Sequence, residues 1–281
     1  MVILLNETNT FIYQILNARY SMNTDLIRNN IKLMQKIQEE VNKQNGVLFN
    51  LCISGSHLYG FESEDSDVDY RGTFVLNTNN FLTMERPIDV IEFNHDGNDV
   101  VLFEIKKEMG LALRGNCNII EHINCKQIYN TARFVEFRQL INNSYGKKGL
   151  YDSYSGMATF NYKKFILQGK RTYKKYLYVM RGLMAGIYVL QTGQIEPNID
   201  KLNEYFKIPE VKELIRMKKS GLEFDVCKEF LDGSLEKVID ELFERMDKAY
   251  EKSKIQDEPD DDDKKNANAF LLKIRKENFG D

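Results

Sequence analysis

Apolar residues recur at helical spacing between residues 24 and 43, at Ile27, Ile31, Leu33, Met34, Ile37 and Val41, after an Asn23-Thr24 cap. The pattern predicts a helix there, and Asn45-Gly46 ends it. Val47 to Ser54 is a short apolar run of the length of a buried strand. Gly55 to Asp65 is polar and turn-rich, and a second strand pattern runs from Val68 to Leu76. Ile88–Phe93 and Val100–Phe103 read as two more strands around a turn at Asn94–Asn98. A helix is expected from Ile105 to Gly115, followed by helices over 132–142, 157–168, 172–191, 210–218 and 234–252. The pattern therefore predicts an α/β unit over 1–130 and a helical unit over 131–255. Residues 256–281 read as an acidic linker and a last helix. Pro259 and the four aspartates at 260–263 predict a flexible, solvated segment, and Phe270, Leu271, Ile274 and Arg275 an amphipathic one.

Bulk properties narrow the class. At 281 residues, 42% hydrophobic and 29% charged, the composition is that of a globular chain. A net charge of −3 argues against coating long nucleic acid, while leaving room for a local basic groove. Met1–Leu5 is cut short by Asn6 and Glu7, so no signal peptide is predicted. Tyr176–Leu190 is the most apolar helical stretch, but it contains Arg181 and is too short to span a bilayer. No membrane partner is expected, and a cytoplasmic location is. Cys52, Cys117, Cys125 and Cys227 form no C-x-x-C pair and read as reduced core thiols. With 3 histidines, a histidine-rich metal site is not expected.

The chemistry concentrates in Ser54-Gly55-Ser56 and Ser66-Asp67-Val68-Asp69. Gly55 has no Cβ, so its backbone can take positive φ and let a phosphate approach. The N–H groups of Gly55 and Ser56, with the Ser56 hydroxyl, can converge on phosphate oxygens. Asp67 and Asp69 stand two apart on a strand, so both carboxylates leave one face while Val68 turns to the core. Such oxygens suit two magnesium ions, with manganese as a substitute. The order strand, Gly-Ser, loop, Asp-x-Asp strand predicts transfer of a nucleoside monophosphate from a nucleoside triphosphate. A third carboxylate is expected, with Glu104 at the end of the Val100–Phe103 strand chosen and Glu92 as fallback. A calcium loop is excluded. Counted from Asp65 it meets Tyr70 and Leu76 where glycine and glutamate belong; counted from Asp67 it meets Arg71 and Thr78 where ligands belong. A phosphatase with an Asp-x-Asp nucleophile is excluded too, because the first buried strand ends in Ser54-Gly55-Ser56.

Gly55-Ser56-x-x-Tyr59-Gly60 with Ser66-Asp67-x-Asp69-x-Arg71-Gly72 resembles the DNA polymerase beta superfamily of nucleotidyltransferases. Within it, the chain is most similar to the predicted nucleotidyltransferases found beside RNA ligases in bacterial and phage RNA-repair systems. The likeness continues in Phe103–Lys107, Gly115–Asn118 with Glu121, Tyr173–Tyr176 with Arg181, and Gln191–Gly193. Cys117 stands where the family usually has proline. The resemblance implies an α+β fold, a polymerase beta-like mixed sheet followed by a helical domain. It implies that Gly55 and Ser56 grip the triphosphate, with Ser66 in the same motif, and that Asp67, Asp69 and Glu104 hold metal. The acceptor stays open: an RNA end, a protein side chain as in toxin–antitoxin enzymes, or none in a non-catalytic nucleotide-binding module.

Lys163, Lys164, Lys170, Arg171, Lys174, Lys175 and Arg181 interleave with Tyr162, Tyr173, Tyr176 and Tyr178. This is either a cleft wall holding the triphosphate or an RNA end, or a solvated helix face. Lys174, Lys175 and Arg181 are the expected nucleotide contacts. Arg71 either contacts substrate phosphate or pairs with Asp65 or Glu64.

Overall fold

In the structure, a computed structural model, residues 24–64, 66–221 and 233–280 are described, residues 24–30 by backbone alone. Helix α1 (Thr24–Lys43) leads into β1 (Gly46–Ser54), a one-turn helix α2 (Gly55–Tyr59) and β2 (Asp69–Leu76). A hairpin of β3 (Val90–His95) and β4 (Asn98–Glu104) follows, turning at Asp96-Gly97. Then come α3 (Ile105–Leu113), α4 (Cys117–Asn124) and the short strand β5 (Gln127–Asn130). The five strands form one mixed sheet in the order β3-β4-β2-β1-β5. β2 and β4 run parallel, and the other neighbours are antiparallel. The rest is helical: α5 (Phe134–Ser144), α6 (Lys147–Asn161), a π-helical turn (Tyr162–Ile166), α7 (Tyr173–Thr192), α8 (Ile199–Phe206), α9 (Pro209–Ser220), α10 (Ser234–Lys252) and α11 (Asp261–Phe279). This is the α+β architecture expected, a mixed sheet with helices and then helices.

Period-two alternation gives the sheet two apolar faces. One packs Leu51, Tyr70, Phe74 and Leu102 under Leu33, Ile37 and Val41 of α1. The other face belongs to a larger core built with the helices. That core crosses residue 130: Phe49 of β1 packs against Phe134 and Phe137 of α5 and Phe270 of α11. α7 is its axis, because both its flanks are apolar and most of its residues are buried.

Several elements depart from the pattern reading, among them α4, which the pattern does not predict. β5 escapes it because four residues are too few to show a period, and α8 likewise hides in eight. α6 begins at Lys147 rather than 157, because Gly149 serves packing: a Cβ on it would lie 2.3 Å from the Arg114 carbonyl oxygen. The aspartate run is no loose linker. Asp260 caps α11 reciprocally with Asp263, and Asp261 and Asp262 fill the first turn, where the helix dipole favours negative charge. Cys227 lies outside the described residues.

Candidate active site

β1 delivers the site's first part. It ends at Ser54, and Gly55 turns the chain with φ +63° into α2. A Cβ on Gly55 would fall 1.9 Å from Asp69 Oδ2, so the Asp69 carboxylate lies directly over the Gly55 backbone. No other residue type fits that bend without displacing the carboxylate.

Sheet register then builds a row. Ser54 is opposite Asp69 across the antiparallel β1–β2 pair, and Asp69 is opposite Asp99 across the parallel β2–β4 pair. Register partners share a face, so the three side chains stand side by side on neighbouring strands, ~5 Å apart. Arg71, two residues along, rises on the same face. Its Nη2 lies 3.2 Å from Asp69 Oδ1 and 2.8 Å from Asp99 Oδ2. Its Nη1 donates to the carbonyls of Tyr70 (2.9 Å) and Asp99 (3.3 Å). Asp67 is exposed just before β2, while Val68 packs toward α1 and its N–H donates to Asn98 Oδ1 at 3.3 Å. The loop between is tied by Ser66, whose Oγ accepts from the Ser63 N–H at 3.0 Å.

Asp99 is a residue the sequence reading passes over, because it falls between the Asn94–Asn98 turn and the strand expected from Val100. Its signal was present: Asn98-Asp99 opens an apolar strand, as Asp69 does. Glu104, the expected third carboxylate, stands elsewhere. It pairs with Phe74, five residues along the parallel β2–β4 register from Asp69, roughly 16 Å away. It is 2% exposed, caps α3 by accepting from Lys106 N–H at 2.8 Å, and pairs with Arg275 at 2.8 Å. Glu92 is exposed on edge strand β3, opposite Val101.

Below the row, Ser54 Oγ lies 2.8 Å from His122 Nε2. Burial, with the nearby charges of Arg71 and Arg181, lowers the His122 pKa to about 3, so the ring is neutral. Deeper still, the Thr73 hydroxyl donates to Glu108, whose pKa burial raises to about 8. Glu108 is therefore a neutral acid near pH 7.

α7 faces the site with one stripe, Lys174, Tyr178 and Arg181, at helical spacing. Lys174 is half-buried. Burial lowers its pKa, as do Lys218 and Lys175, while Asp69 and Asp67 oppose the shift. The charges of Asp69 and Asp67 therefore reach Lys174. Tyr178 sits edge-on to Tyr59 and Phe61, beside Asp69 and Arg71. Arg181 does not reach the cleft. It is fully buried, 2.7 Å from Glu121 Oε1 and 3.8 Å over the Tyr59 ring, and Tyr154 also donates to Glu121 at 2.9 Å. It braces the underside of α2. Lys175 points away as well, its ammonium 3.8 Å over the Phe165 ring.

Among the described residues no three carboxylate, imidazole or thiol groups converge as a ready metal cage. Between Asp69 and Asp99 lies instead the Arg71 guanidinium, a cation held by two hard oxygen donors. Donor chemistry and charge there fit a divalent oxygen-seeking ion.

A glycine-serine bend facing an aspartate row on a mixed sheet is the arrangement of polymerase beta-like nucleotidyltransferases. The chain belongs to the RNA repair pathway DNA polymerase beta family, whose sequence pattern matches residues 29–273. It is 29% identical over 203 residues to the uncharacterized protein YcgL of Bacillus subtilis, covering 66% of this chain and 78% of that protein. It is 28% identical over 220 residues to an uncharacterized protein of Methanocaldococcus jannaschii, covering 74% and 87%. A crystal structure of a nucleotidyltransferase-like protein from Exiguobacterium sibiricum covers 78% of this chain and 74% of its own, at 10% identity and a TM-score of 0.26. Family membership supports a nucleotidyltransferase role. No described helix is long and apolar enough to cross a membrane.

Proposed function

We propose that this chain transfers a nucleoside monophosphate from a nucleoside triphosphate to a hydroxyl, releasing pyrophosphate. The observation behind this reading is the Ser54–Asp69–Asp99 row with the Gly55 backbone pressed against Asp69. The backbone N–H groups at Gly55 and Ser56 grip the triphosphate. Asp67, Asp69 and Asp99, with Asp99 in the place expected of Glu104, would hold two magnesium or manganese ions. Bound there, such ions would supply charge against the departing pyrophosphate and would lower the pKa of the attacking hydroxyl. The acceptor hydroxyl passes its proton to an aspartate carboxylate of the row as its oxygen bonds to the α-phosphorus, and the bond from that phosphorus to the bridging oxygen breaks, its electron pair leaving with pyrophosphate. Lys174, across the cleft, neutralises triphosphate charge, and Tyr178 walls the reaction from water. Arg71 holds Asp69 and Asp99 in register when no divalent ion is bound.

Incubation with α-labelled triphosphates, magnesium and a panel of RNA and protein acceptors tests this. Asp69→Asn and Asp99→Asn each abolish label transfer while the circular dichroism spectrum stays unchanged. Full transfer by the Asp99→Asn variant, or by the Asp69→Asn variant, overturns the assignment of that carboxylate. Full transfer by both removes the proposed mechanism.

A further inference from the structure

The proposed reaction leaves its acceptor unnamed, and the surface leading away from Lys174 has a composition of its own. On the residue after Lys174, the Lys175 ammonium stands 3.8 Å over the Phe165 ring. Lys164 stands 5.4 Å from the same ring and 4.8 Å from that of Phe160. The outcome is a ladder of alternating cations and rings, Lys175, Phe165, Lys164 and Phe160, that begins one residue after Lys174 on α7. Phe160 is 58% exposed, and Leu167, just past the π-helical turn, 59%. The ladder exists because the chain between α6 and α7 takes a π-helical turn over Tyr162–Ile166, which buries Ile166 and turns Lys163 and Lys164 to solvent. Such wide turns cost regular hydrogen bonding and are common where a surface has a task.

The charge on this surface is uncompensated. Among the described residues, none of Lys163, Lys164, Lys170 or Lys175 has a carboxylate within ion-pair distance, although the chain as a whole is acidic at −3. Lys164 and Lys175 stand close enough that the charge of Lys164, after burial, lowers the Lys175 pKa. Arg171 is committed inward, to the Ile166 carbonyl at 3.4 Å and to Glu236 at 3.5 Å. Like charges held together beside exposed rings call for a partner with regularly spaced anions and flat apolar groups.

We propose that the Phe160–Lys175 surface is the docking track for a single-stranded nucleic acid, whose terminal hydroxyl is the acceptor at Asp67, Asp69 and Asp99. Lysines 163, 164, 170 and 175 neutralise successive phosphates, and Phe160 stacks on a base. A strand suits this track better than a flat anionic surface, because the ladder is narrow and its last cation is the sequence neighbour of Lys174 on α7. The assignment of the acceptor rests on the nucleotidyl-transfer reading, but the binding does not.

Binding is therefore measured on the Asp67→Asn/Asp69→Asn chain, by fluorescence anisotropy with a labelled oligoribonucleotide of about ten nucleotides. Affinity is expected to fall with salt. The further change Lys164→Gln/Lys175→Gln makes the slope of log K against log salt shallower by about 1.4, two phosphate contacts at roughly 0.7 each. Phe160→Ala, at an exposed position, weakens binding ~5-fold or more with the salt slope unchanged, as loss of a stacked base requires. Equal binding by these variants and the parent overturns the proposal, as does stronger, equally variant-sensitive binding to phosphatidylglycerol vesicles. Either result leaves label transfer to be judged on the active chain. Conversely, binding as expected with no transfer to any strand refutes the acceptor role and retains the track.

Discussion

Glu108→Gln separates two buried groups that titrate in opposite senses beneath the aspartate row. Folded Glu108 keeps its proton up to about pH 8, whereas an unfolded glutamate loses it near 4.5. Its contribution is thus fully present below pH 4.5 and is lost as pH rises to 8, at about 1.4 kcal/mol per pH unit. His122 acts the other way. It stays neutral down to about pH 3 when folded but charges near 6.5 when unfolded, so stability rises with pH between those values. In the parent protein the two slopes cancel from pH 4.5 to 6.5, and from 6.5 to 8 stability falls by about 2 kcal/mol. With glutamine at 108, whose amide oxygen still accepts from Thr73, the His122 slope stands alone. Stability then rises by about 3 kcal/mol from pH 4.5 to 6.5 and levels off above it. Urea unfolding of both proteins across this range measures the two curves, and exposed ion pairs add the same slope to each. Parallel curves would refute the reasoning, since they would mean Glu108 is already ionised in the fold.

Arg71→Gln removes the guanidinium that competes for the Asp69 and Asp99 oxygens. Calorimetric titration with manganese is expected to show binding ~5-fold or more tighter than in the parent, given attraction of ~1 kcal/mol or more between such partly exposed charges. Unchanged or weaker binding would place Arg71 outside any competition with the cation. Glu121→Gln leaves Arg181 charged and unpaired where both side chains are 0% exposed. Loss of about 3–5 kcal/mol in urea unfolding is expected, and a loss below ~1 kcal/mol would show that the Tyr59 ring and neighbouring dipoles suffice to hold the charge.

What could be read from sequence was local. The Gly55-Ser56 bend and the Asp67-Asp69 pair lie within one strand–loop–strand unit, so spacing alone brings them together. Asp99 comes beside Asp69 only through pairing between strands thirty positions apart. Had β4 run antiparallel to β2, its far end would have met Asp69 and Glu104 would have stood in the site. The β3–β4 hairpin reverses the chain once more, makes β2 and β4 parallel, and sets Asp99 at that place instead. No periodicity records that choice. Arg181 was misread for a related reason. Charge at helical spacing beside Lys174 looks the same whether it faces solvent or Glu121, and only the packing of α7 against the underside of α2 tells the two apart. The aspartate run was a question of position, since the same residues that dissolve a linker cap a helix when one begins directly after them.

Helix α11 has a consequence for how this protein is made. Phe270 completes a ring cluster with Phe49 and Phe137, and Arg275 neutralises Glu104 at the rim of the sheet. β1 leaves the ribosome long before α11 is synthesised, so through most of translation the sheet's inner face waits without its last cover. A nascent chain in that condition exposes phenylalanines to any neighbour, and non-local closure of this kind is slow. Ribosome pausing upstream of residue 261, or a nonsense codon there, would release a sheet already holding its aspartates but unable to bury its own interior.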